Sequence, residues 1–75
     1  MSIPETDNVR ALDYSPDDAF LVAGTDAGTV TIYDTYTYLP VGSYTRNGRD
    51  VESVKFSPDG NHIAIGYDDS TVKIL

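Results

Sequence analysis

The sequence predicts an all-β protein built from two copies of one antiparallel sheet unit. The main observation is an internal repeat: a shift of 42 positions, without a gap, places residues 51–75 on residues 9–33 and superimposes Ser57–Asp59 on Ser15–Asp17. A period of about 40 to 45 residues is typical of chains in which one supersecondary unit is copied and stacked. Between the turns, apolar residues alternate or form short β-branched runs, and they do not follow helical spacing. Strands are therefore expected throughout.

The first predicted strand alternates, with Leu12 and Tyr14 on one face and Val9 and Ala11 on the other. A turn follows at Ser15–Asp18, because proline fixes φ and aspartate can hydrogen-bond its own backbone. The strand then connects to a second one in the antiparallel sense.

The second strand contains the apolar run Phe20–Ala23, closed by Gly24, and its length indicates a strand buried on both faces. The first unit is predicted to have strands at residues 9–14, 19–25, 29–34 and 41–45, and the second at 51–56, 62–67 and 71–75. We expect residues 1–8 to be a lead-in with a disordered start. Residues 9–50 then form the first unit with its connecting loop, and residues 51–75 form a second unit without its outer strand.

Composition excludes several classes of function. The 75 residues contain no cysteine, so neither disulfides nor thiolate zinc sites are available. Five basic residues face twelve acidic ones, and this net charge of -7 disfavours binding to nucleic acid and to anionic membranes. No apolar run is long enough for a membrane helix, and the first residues do not resemble a secretion signal. We expect an intracellular, cytoplasmic protein.

Few residues suit catalysis or metal binding. His62 is the one histidine and the only candidate base for a nucleophile, but it begins a strand directly after a turn, where a surface histidine is expected. The pairs Asp17/Asp18 and Asp68/Asp69 lie in turns, where aspartate occurs for backbone reasons, and neither turn has the alternating ligands of an EF-hand. We therefore expect no enzyme activity, no cofactor and no metal.

Two stretches carry a family resemblance. Val51–Gly60 is a strand running into Phe-Ser-Pro-Asp-Gly, with Tyr14–Asp18 at the same place in the first copy, and Gly24–Asp34 contains a small-residue turn followed by Thr-Val-x-Ile-aromatic-Asp. In these features the chain resembles the WD40 repeat family, whose units are four-stranded blades of a β-propeller. Tyr33 stands where most WD40 repeats have tryptophan, and in this feature the chain is similar to the propellers of the echinoderm microtubule-associated-protein-like group.

The chain departs from the family pattern where WD40 blades form their buried Asp-His-Ser-Trp hydrogen-bond network. The loop Arg46–Asp50 replaces the usual Gly-His pair, Ala27 and Asp69 stand at the aspartate position, and Ala23 and Ile65 stand at the serine position. The resemblance therefore implies blades that rely on apolar packing, with Asp69 as a solvated turn residue.

In WD40 proteins, loops equivalent to Arg46–Asp50 lie on the face that most often takes peptide partners. Arginine forks suit carboxylates and phosphates, and this loop carries two arginines in an acidic chain. The alternative is a solvated loop kept soluble by its charge. The predicted partner-binding residues are Arg46, Asn47, Arg49 and Asp50 of the loop, with Asp26 and Asp68 of the turns on the same face.

One blade and three quarters of another would leave two apolar faces and a strand edge exposed, whereas closed propellers have about four to eight blades. Three explanations stay open: a fragment of a longer propeller, which we favour, a short chain that assembles with copies of itself, or the ordered part of a longer chain. The resemblance implies a non-catalytic protein–protein interaction scaffold, whose partners are proteins or further blades in the same or other chains. The alternative is a structural or cytoskeleton-associated propeller component in which this segment only completes the ring.

Overall fold

The computed structural model describes residues 2, 3, 5 and 7–75, and all regular secondary structure in them is β-strand. Met1, Pro4 and Thr6, which belong to the lead-in predicted to start disordered, lie outside the described residues. Within the described part, no helix has the length and apolarity needed to cross a membrane. The strands are β1 (Val9–Tyr14), β2 (Phe20–Thr25), β3 (Thr29–Asp34), β4 (Pro40–Thr45), β5 (Val51–Phe56), β6 (Ile63–Tyr67) and β7 (Val72–Ile74).

The strands form two antiparallel sheets in which sequence neighbours are also spatial neighbours. The first sheet has the order β1-β2-β3-β4 and the second has the order β5-β6-β7. The predicted all-β fold, with four strands followed by three, is confirmed. β4 begins at Pro40, one residue earlier than predicted, and the first position of a strand is one where proline is tolerated.

The turn after the first strand is built in the same way in both sheets. Ser15 Oγ donates to Asp17 Oδ1 at 2.6 Å and accepts from the Phe20 backbone N–H at 2.9 Å. Ser57 Oγ likewise donates to Asp59 Oδ1 at 2.5 Å. The repeated Ser-Pro-Asp tripeptide thus closes both connections with local side-chain hydrogen bonds, as its turn chemistry predicts.

A β-bulge near the start of β1 changes which residues share a face. Val9 pairs with Thr25 but Ala11 pairs with Gly24, so an extra residue lies between the two paired positions. The prediction that Val9 and Ala11 share a face is therefore wrong, and Val9 lines the same open groove as Leu12. The second sheet repeats this bulge at the start of β5.

The two sheets pack face to face, and the main hydrophobic core lies between them. β2 is buried from its second residue to its end, as its apolar run predicts. Burial of apolar side chains between the sheets is the dominant favourable contribution to folding. The buried cluster consists of Val22 and Val30 from the first sheet and Val51, Val54, Phe56, Ile63, Ile65 and Tyr67 from the second.

The close approach of β5 to the first sheet depends on Gly24. A Cβ at this position would overlap Val51 Cγ1 and lie 3.2 Å from Val54 Cγ1, so only glycine leaves room for both valines. A polar contact also crosses the junction, because the Phe56 backbone N–H donates to Asp13 Oδ2 at 2.8 Å. Together these contacts fix the spacing of the two sheets.

The described part of the lead-in packs on the other face of the first sheet. Ile3 contacts a small buried cluster formed by Leu21, Ala23 and Tyr33. The Tyr33 hydroxyl donates to Glu5 Oε1 at 2.5 Å. Burial, followed by the hydrogen bond to Glu5, raises the pKa of Tyr33 to about 12. Ile3 and Glu5 are therefore held on the sheet.

Candidate interaction surface

One end of the two sheets carries all the residues predicted to bind a partner. We call this end the junction rim: the loop Arg46–Asp50 between β4 and β5, the β2–β3 turn Asp26–Gly28 and the β6–β7 turn Asp68–Ser70. Backbone hydrogen bonds join the three segments, since the Arg46 N–H donates to the Gly28 carbonyl at 2.9 Å and the Asp68 N–H donates to the Asp50 carbonyl at 3.1 Å. The loop therefore spans both sheets at this end.

Gly28 lies directly against the backbone of the loop Arg46–Asp50. It has a φ of 86°, in the left-handed region that favours glycine. A Cβ on Gly28 would overlap the Arg46 carbonyl oxygen and lie 2.7 Å from the Arg49 carbonyl oxygen. The loop backbone can rest on the β2–β3 turn only because this position has no side chain.

Arg46 closes the junction between the two sheets. Its Nη2 lies 2.9 Å from Asp69 Oδ2, and its Nη1 donates to Thr71 Oγ1 at 2.6 Å. The guanidinium carbon also lies 4.8 Å from the centre of the Tyr67 ring, a cation–π distance. Since Arg46 follows β4 of the first sheet and its partners belong to the second, the side chain links the sheets as well as the loop.

Asp69 is the centre of this contact, and the prediction that it is a solvated turn residue is wrong. Its side chain is 20% exposed, and Oδ1 accepts from the Thr71 hydroxyl at 2.5 Å and from the Thr71 backbone N–H at 3.2 Å. The Thr71 hydrogen bonds, followed by that of Arg46, lower the pKa of Asp69 to about 2. An Arg-Asp-Thr contact thus forms at Asp69, the position that aligns with the aspartate of the family network.

The lowered pKa of Asp69 predicts a stability change at acid pH. The folded chain binds this proton less tightly than the unfolded chain, whose carboxyl has its ordinary pKa of 3.8, so the contribution of Asp69 is complete above about pH 4 and is lost as the pH falls towards 2. Carboxyl NMR should give Asp69 a midpoint near 2. Thr71→Val should raise that midpoint more than Arg46→Ala does. A midpoint near 3.8 in the unchanged chain would contradict this prediction.

Arg49 is held far more loosely than Arg46. Its Nε lies 3.6 Å from Asp69 Oδ2 and its Nη1 lies 3.9 Å from Asp68 Oδ1, and neither distance is that of a hydrogen bond. The Arg49 side chain is 49% exposed, and the neighbouring Asn47 is also exposed. The two arginines of the loop therefore have different environments.

The acidic residues that were predicted to bind a partner lie on the rim together with Arg49. The Asp68 side chain is 34% exposed, while Asp26 and Asp50 are half-buried. Asp26 also accepts a hydrogen bond from Asn8 Nδ2 at 3.1 Å. Both arginines of the rim are partly exposed, at 36% for Arg46 and 49% for Arg49, and it is Arg49 that lies among carboxylates at distances longer than a hydrogen bond.

Sequence reasoning missed Thr71 and Tyr67 as residues that contact the rim. Both contact Arg46, which is 25 residues away from Thr71 in the chain, and no local pattern indicates such a pair. One signal was present in the repeat, where Asp69 aligns with Ala27. A charged residue present in one copy alone suggests a role at the junction, which only one copy contains.

The hydroxyl that is hydrogen-bonded to the backbone of His62 is part of a turn. Ser57 Oγ accepts from the His62 backbone N–H at 3.1 Å and donates to Asp59, so the serine is not arranged as a nucleophile beside an imidazole base. Across residues 2, 3, 5 and 7–75, no three histidine, aspartate or glutamate side chains are grouped to hold a metal ion.

Comparison with known proteins gives relatives of more than one kind. The chain is 32% identical over 68 residues to echinoderm microtubule-associated protein-like 2 of Homo sapiens, and this match covers 91% of the chain and 10% of the relative. It is 33% identical over 75 residues to the ribosome biogenesis protein enp2 homolog of Schizosaccharomyces pombe, with 85% of the chain and 12% of that protein covered. The chain thus spans about a tenth of the length of these relatives. The predicted likeness to the echinoderm microtubule-associated-protein-like group is confirmed.

Solved structures agree with the fold. The structure of U3-55K matches with a TM-score of 0.88 at 15% identity, covering 96% of this chain and 24% of that one. The crystal structure of the RRP9 WD40 repeats matches with a TM-score of 0.88 at 16% identity, covering 96% and 23%. The family model for the WD domain, G-beta repeat, matches residues 2–34 and 39–74. Members of this family are generally non-enzymatic scaffolds for protein–protein interaction, and this chain, with its two stacked antiparallel sheets, belongs to the WD40 repeat family.

Proposed function

We propose that this chain is a non-catalytic protein–protein interaction segment of a β-propeller, and that a protein partner contacts it at the junction rim. The observation that carries the proposal is the difference between the two loop arginines. Arg46 is fixed by Asp69 and Thr71, whereas the guanidinium of Arg49 is half-exposed and has no close hydrogen bond to the neighbouring carboxylates. Arg49 is therefore the group that can form a charge-assisted bond with a partner.

The remaining rim residues support this role in two ways. Asn47 is exposed beside Arg49 and supplies further hydrogen-bonding groups, while Asp26, Asp50 and Asp68 surround it with negative charge. A suitable partner segment would offer a carboxylate or phosphate to Arg49 and basic groups to the aspartates. The net charge of -7 argues against nucleic acid as that partner.

Arg46 acts in this proposal as a positioning residue. It links the loop to Asp69 and Thr71 of the second sheet, and its backbone N–H is bonded to Gly28 of the first. At the other end of the loop, the Asp68 N–H donates to the Asp50 carbonyl at 3.1 Å, so the loop that presents Arg49 is held at both ends. Pre-organised loops lose less conformational entropy when they bind, which favours affinity.

Replacing Arg49 with alanine tests the proposal. We expect recovery of a specific partner in a quantitative pull-down to fall about tenfold, since a hydrogen bond to a charged group contributes about 1.5–3 kcal/mol. The melting temperature should stay nearly the same, because the ion pairs of Arg49, at 3.6 and 3.9 Å, are partly exposed and such surface pairs contribute about 0–1 kcal/mol. Lys55→Ala is the matched control, as it removes one positive charge near the opposite end of β5. Equal recovery with the Arg49 variant and the unchanged chain would contradict the assignment of this residue.

The names of the relatives favour a second candidate function. Echinoderm microtubule-associated protein-like 2 is microtubule-associated by name, and the fission yeast relative is named for ribosome biogenesis. Both names support an intracellular role. In the second candidate, the segment is a structural or cytoskeleton-associated propeller component that only completes the ring, and the partner surface lies on other blades. An Arg49→Ala variant with an unchanged set of partners would support this alternative.

We also propose that the chain itself has no catalytic activity and needs no cofactor. The Ser57 hydroxyl is committed to its turn, and the same arrangement at Ser15 holds the equivalent turn of the first sheet. Each hydroxyl donates to the aspartate of its own turn and not to an imidazole base.

A further inference from the structure

Each sheet has one face that packs at the junction and one that does not. The free face of the first sheet, which we call the Leu12 face, includes three exposed apolar side chains: Val9 is 44% exposed, Leu12 is 62% exposed and Tyr14 is 53% exposed. The free face of the second sheet, which we call the Ile74 face, exposes Val72 (67%) and Ile74 (57%). Contiguous exposed apolar surface of this kind marks an interaction site.

The 42-residue repeat relates these free faces to the buried junction. On the Leu12 face, Val9, Leu12 and Tyr14 are equivalent to residues of the second sheet that are buried at the junction, namely Val51, Val54 and Phe56. On the Ile74 face, Val72 and Ile74 are equivalent to Val30 and Ile32 of the first sheet, which form the other side of that junction. The Leu12 face therefore resembles the surface that the second sheet contributes to the junction, and the Ile74 face resembles the surface that the first sheet contributes. Neither of these two faces is used in the internal junction.

The shapes of the two free faces also correspond. At the junction, Val51 fits against Gly24, where no side chain could be accommodated. The equivalent pair on the free faces is Val9 and Gly66, so the Leu12 face presents the valine and the Ile74 face presents the glycine. The Ser53 hydroxyl lies 2.5 Å from where a Cβ of Gly66 would be, so this side chain must turn aside for the valine of a second copy to fit. The β-bulge that turns Val51 towards the junction is repeated in β1, and it turns Val9 towards the Leu12 face.

The described part of the lead-in covers part of the Leu12 face. Ile3 packs against Leu21, Ala23 and Tyr33 there, while Val9, Leu12 and Tyr14 stay exposed beside it.

We propose that the Ile74 face binds the Leu12 face of a second copy of this chain, head to tail, through an interface equivalent to the internal junction. Because the two halves of the interface differ, the contact is heterologous and each copy keeps one free half for the next. The proposal concerns faces other than the junction rim and does not depend on Arg49.

The loss of a hydrogen bond also makes the contact between copies weaker than the internal junction. Asp13 accepts a hydrogen bond from the Phe56 N–H across the junction, and the residue equivalent to Asp13 on the second sheet is Lys55. A lysine has no acceptor to offer to the Tyr14 N–H of the next copy. Association should therefore depend on concentration.

The test is the mass of this 75-residue chain in solution. Light scattering should give 8.2 kDa at low concentration and at least twice that mass as the concentration rises from about 1 μM to about 1 mM. Leu12→Asp and Ile74→Asp should each remain monomeric at the high concentration. Both positions are exposed in the single chain, so each variant should keep the circular dichroism of the unchanged protein.

Mixing the two variants tests the head-to-tail arrangement. Each retains the half that the other has lost, so an equal mixture should form a dimer of twice the monomer mass. Tyr36→Asp is the control, since Tyr36 is 94% exposed in the β3–β4 connection and outside both faces, and it should associate as the unchanged chain does. If a variant loses its strand spectrum, Tyr14→Asp and Val72→Asp repeat the test on the same two faces.

Three results would overturn the proposal. The first is an unchanged chain that stays at 8.2 kDa over the whole range. The second is self-association of either single variant, which would indicate pairing of like faces. The third is a mixture of folded variants that remains monomeric.

Discussion

Gly28→Ala is expected to lower the free energy of unfolding by about 3 kcal/mol or more, because two separate costs add. A left-handed backbone costs a non-glycine residue about 1–2 kcal/mol, and Gly28 has a φ of 86°. The new Cβ would also overlap the Arg46 carbonyl oxygen and crowd that of Arg49, and backbone atoms cannot move aside as a flexible side chain can. Urea unfolding followed by circular dichroism measures the loss.

Gly48→Ala is the matched control for this variant. Gly48 has a similar φ of 82°, but a Cβ there would meet no atom within 4 Å. We expect it to cost only the backbone preference, about 1–2 kcal/mol. Equal losses for the two variants would show that contact with the loop contributes nothing at Gly28. A larger loss for Gly28→Ala should also bring weaker partner recovery, since this glycine supports the loop that carries Arg49.

Ile65→Ala is expected to destabilise the chain by about 2–5 kcal/mol, the usual range for truncating a fully buried aliphatic residue. Ile65 has no exposed surface and lies within the cluster between the two sheets. The truncation removes buried apolar area and leaves a cavity that the surrounding valines can fill only in part. Thermal and urea unfolding should both report the loss.

Ile74→Ala makes the same chemical change in the same sheet, on a side chain that is 57% exposed. At low concentration it should change stability by no more than about 0.5 kcal/mol, as most surface substitutions do. If Ile74→Ala lowered stability as much as Ile65→Ala, the result would contradict the burial of Ile65 and the exposure of Ile74 on the two faces of the second sheet.

The strands were predictable because their signals are local. Short β-branched or alternating runs lie between turns rich in proline, aspartate and glycine, and the repeat provides a second example of each. The face of Val9 was not predictable in this way. A β-bulge adds one residue to a strand without a distinctive composition, and every position before it then changes face.

The candidate surface was predictable in position but not in detail. Connectivity and family resemblance indicate that the loop Arg46–Asp50 lies beside the β2–β3 and β6–β7 turns. The separate environments of Arg46 and Arg49 depend on Asp69, whose distance from either arginine is set by the packing of one sheet on another. A contact between residues 23 positions apart leaves no periodic trace in the sequence.

The shared core has a consequence for the way the chain folds. Among the described residues, six of the eight members of the main buried cluster belong to the second sheet, and they are covered by the first. The second sheet has little to bury until the first is present, so the first sheet acts as its template. Synthesis from the N-terminus delivers the template before the strands that need it.

Completing the core also requires contacts between residues far apart in sequence, such as the bond between Asp13 and Phe56, which are 43 positions apart. Closing such long loops slows folding, so docking of the second sheet should be the slow step. Once docked, the two sheets share one core and should unfold in a single transition. A destabilising substitution at Gly24 or Val22 in the first sheet would then also lower the stability of β7 in the second.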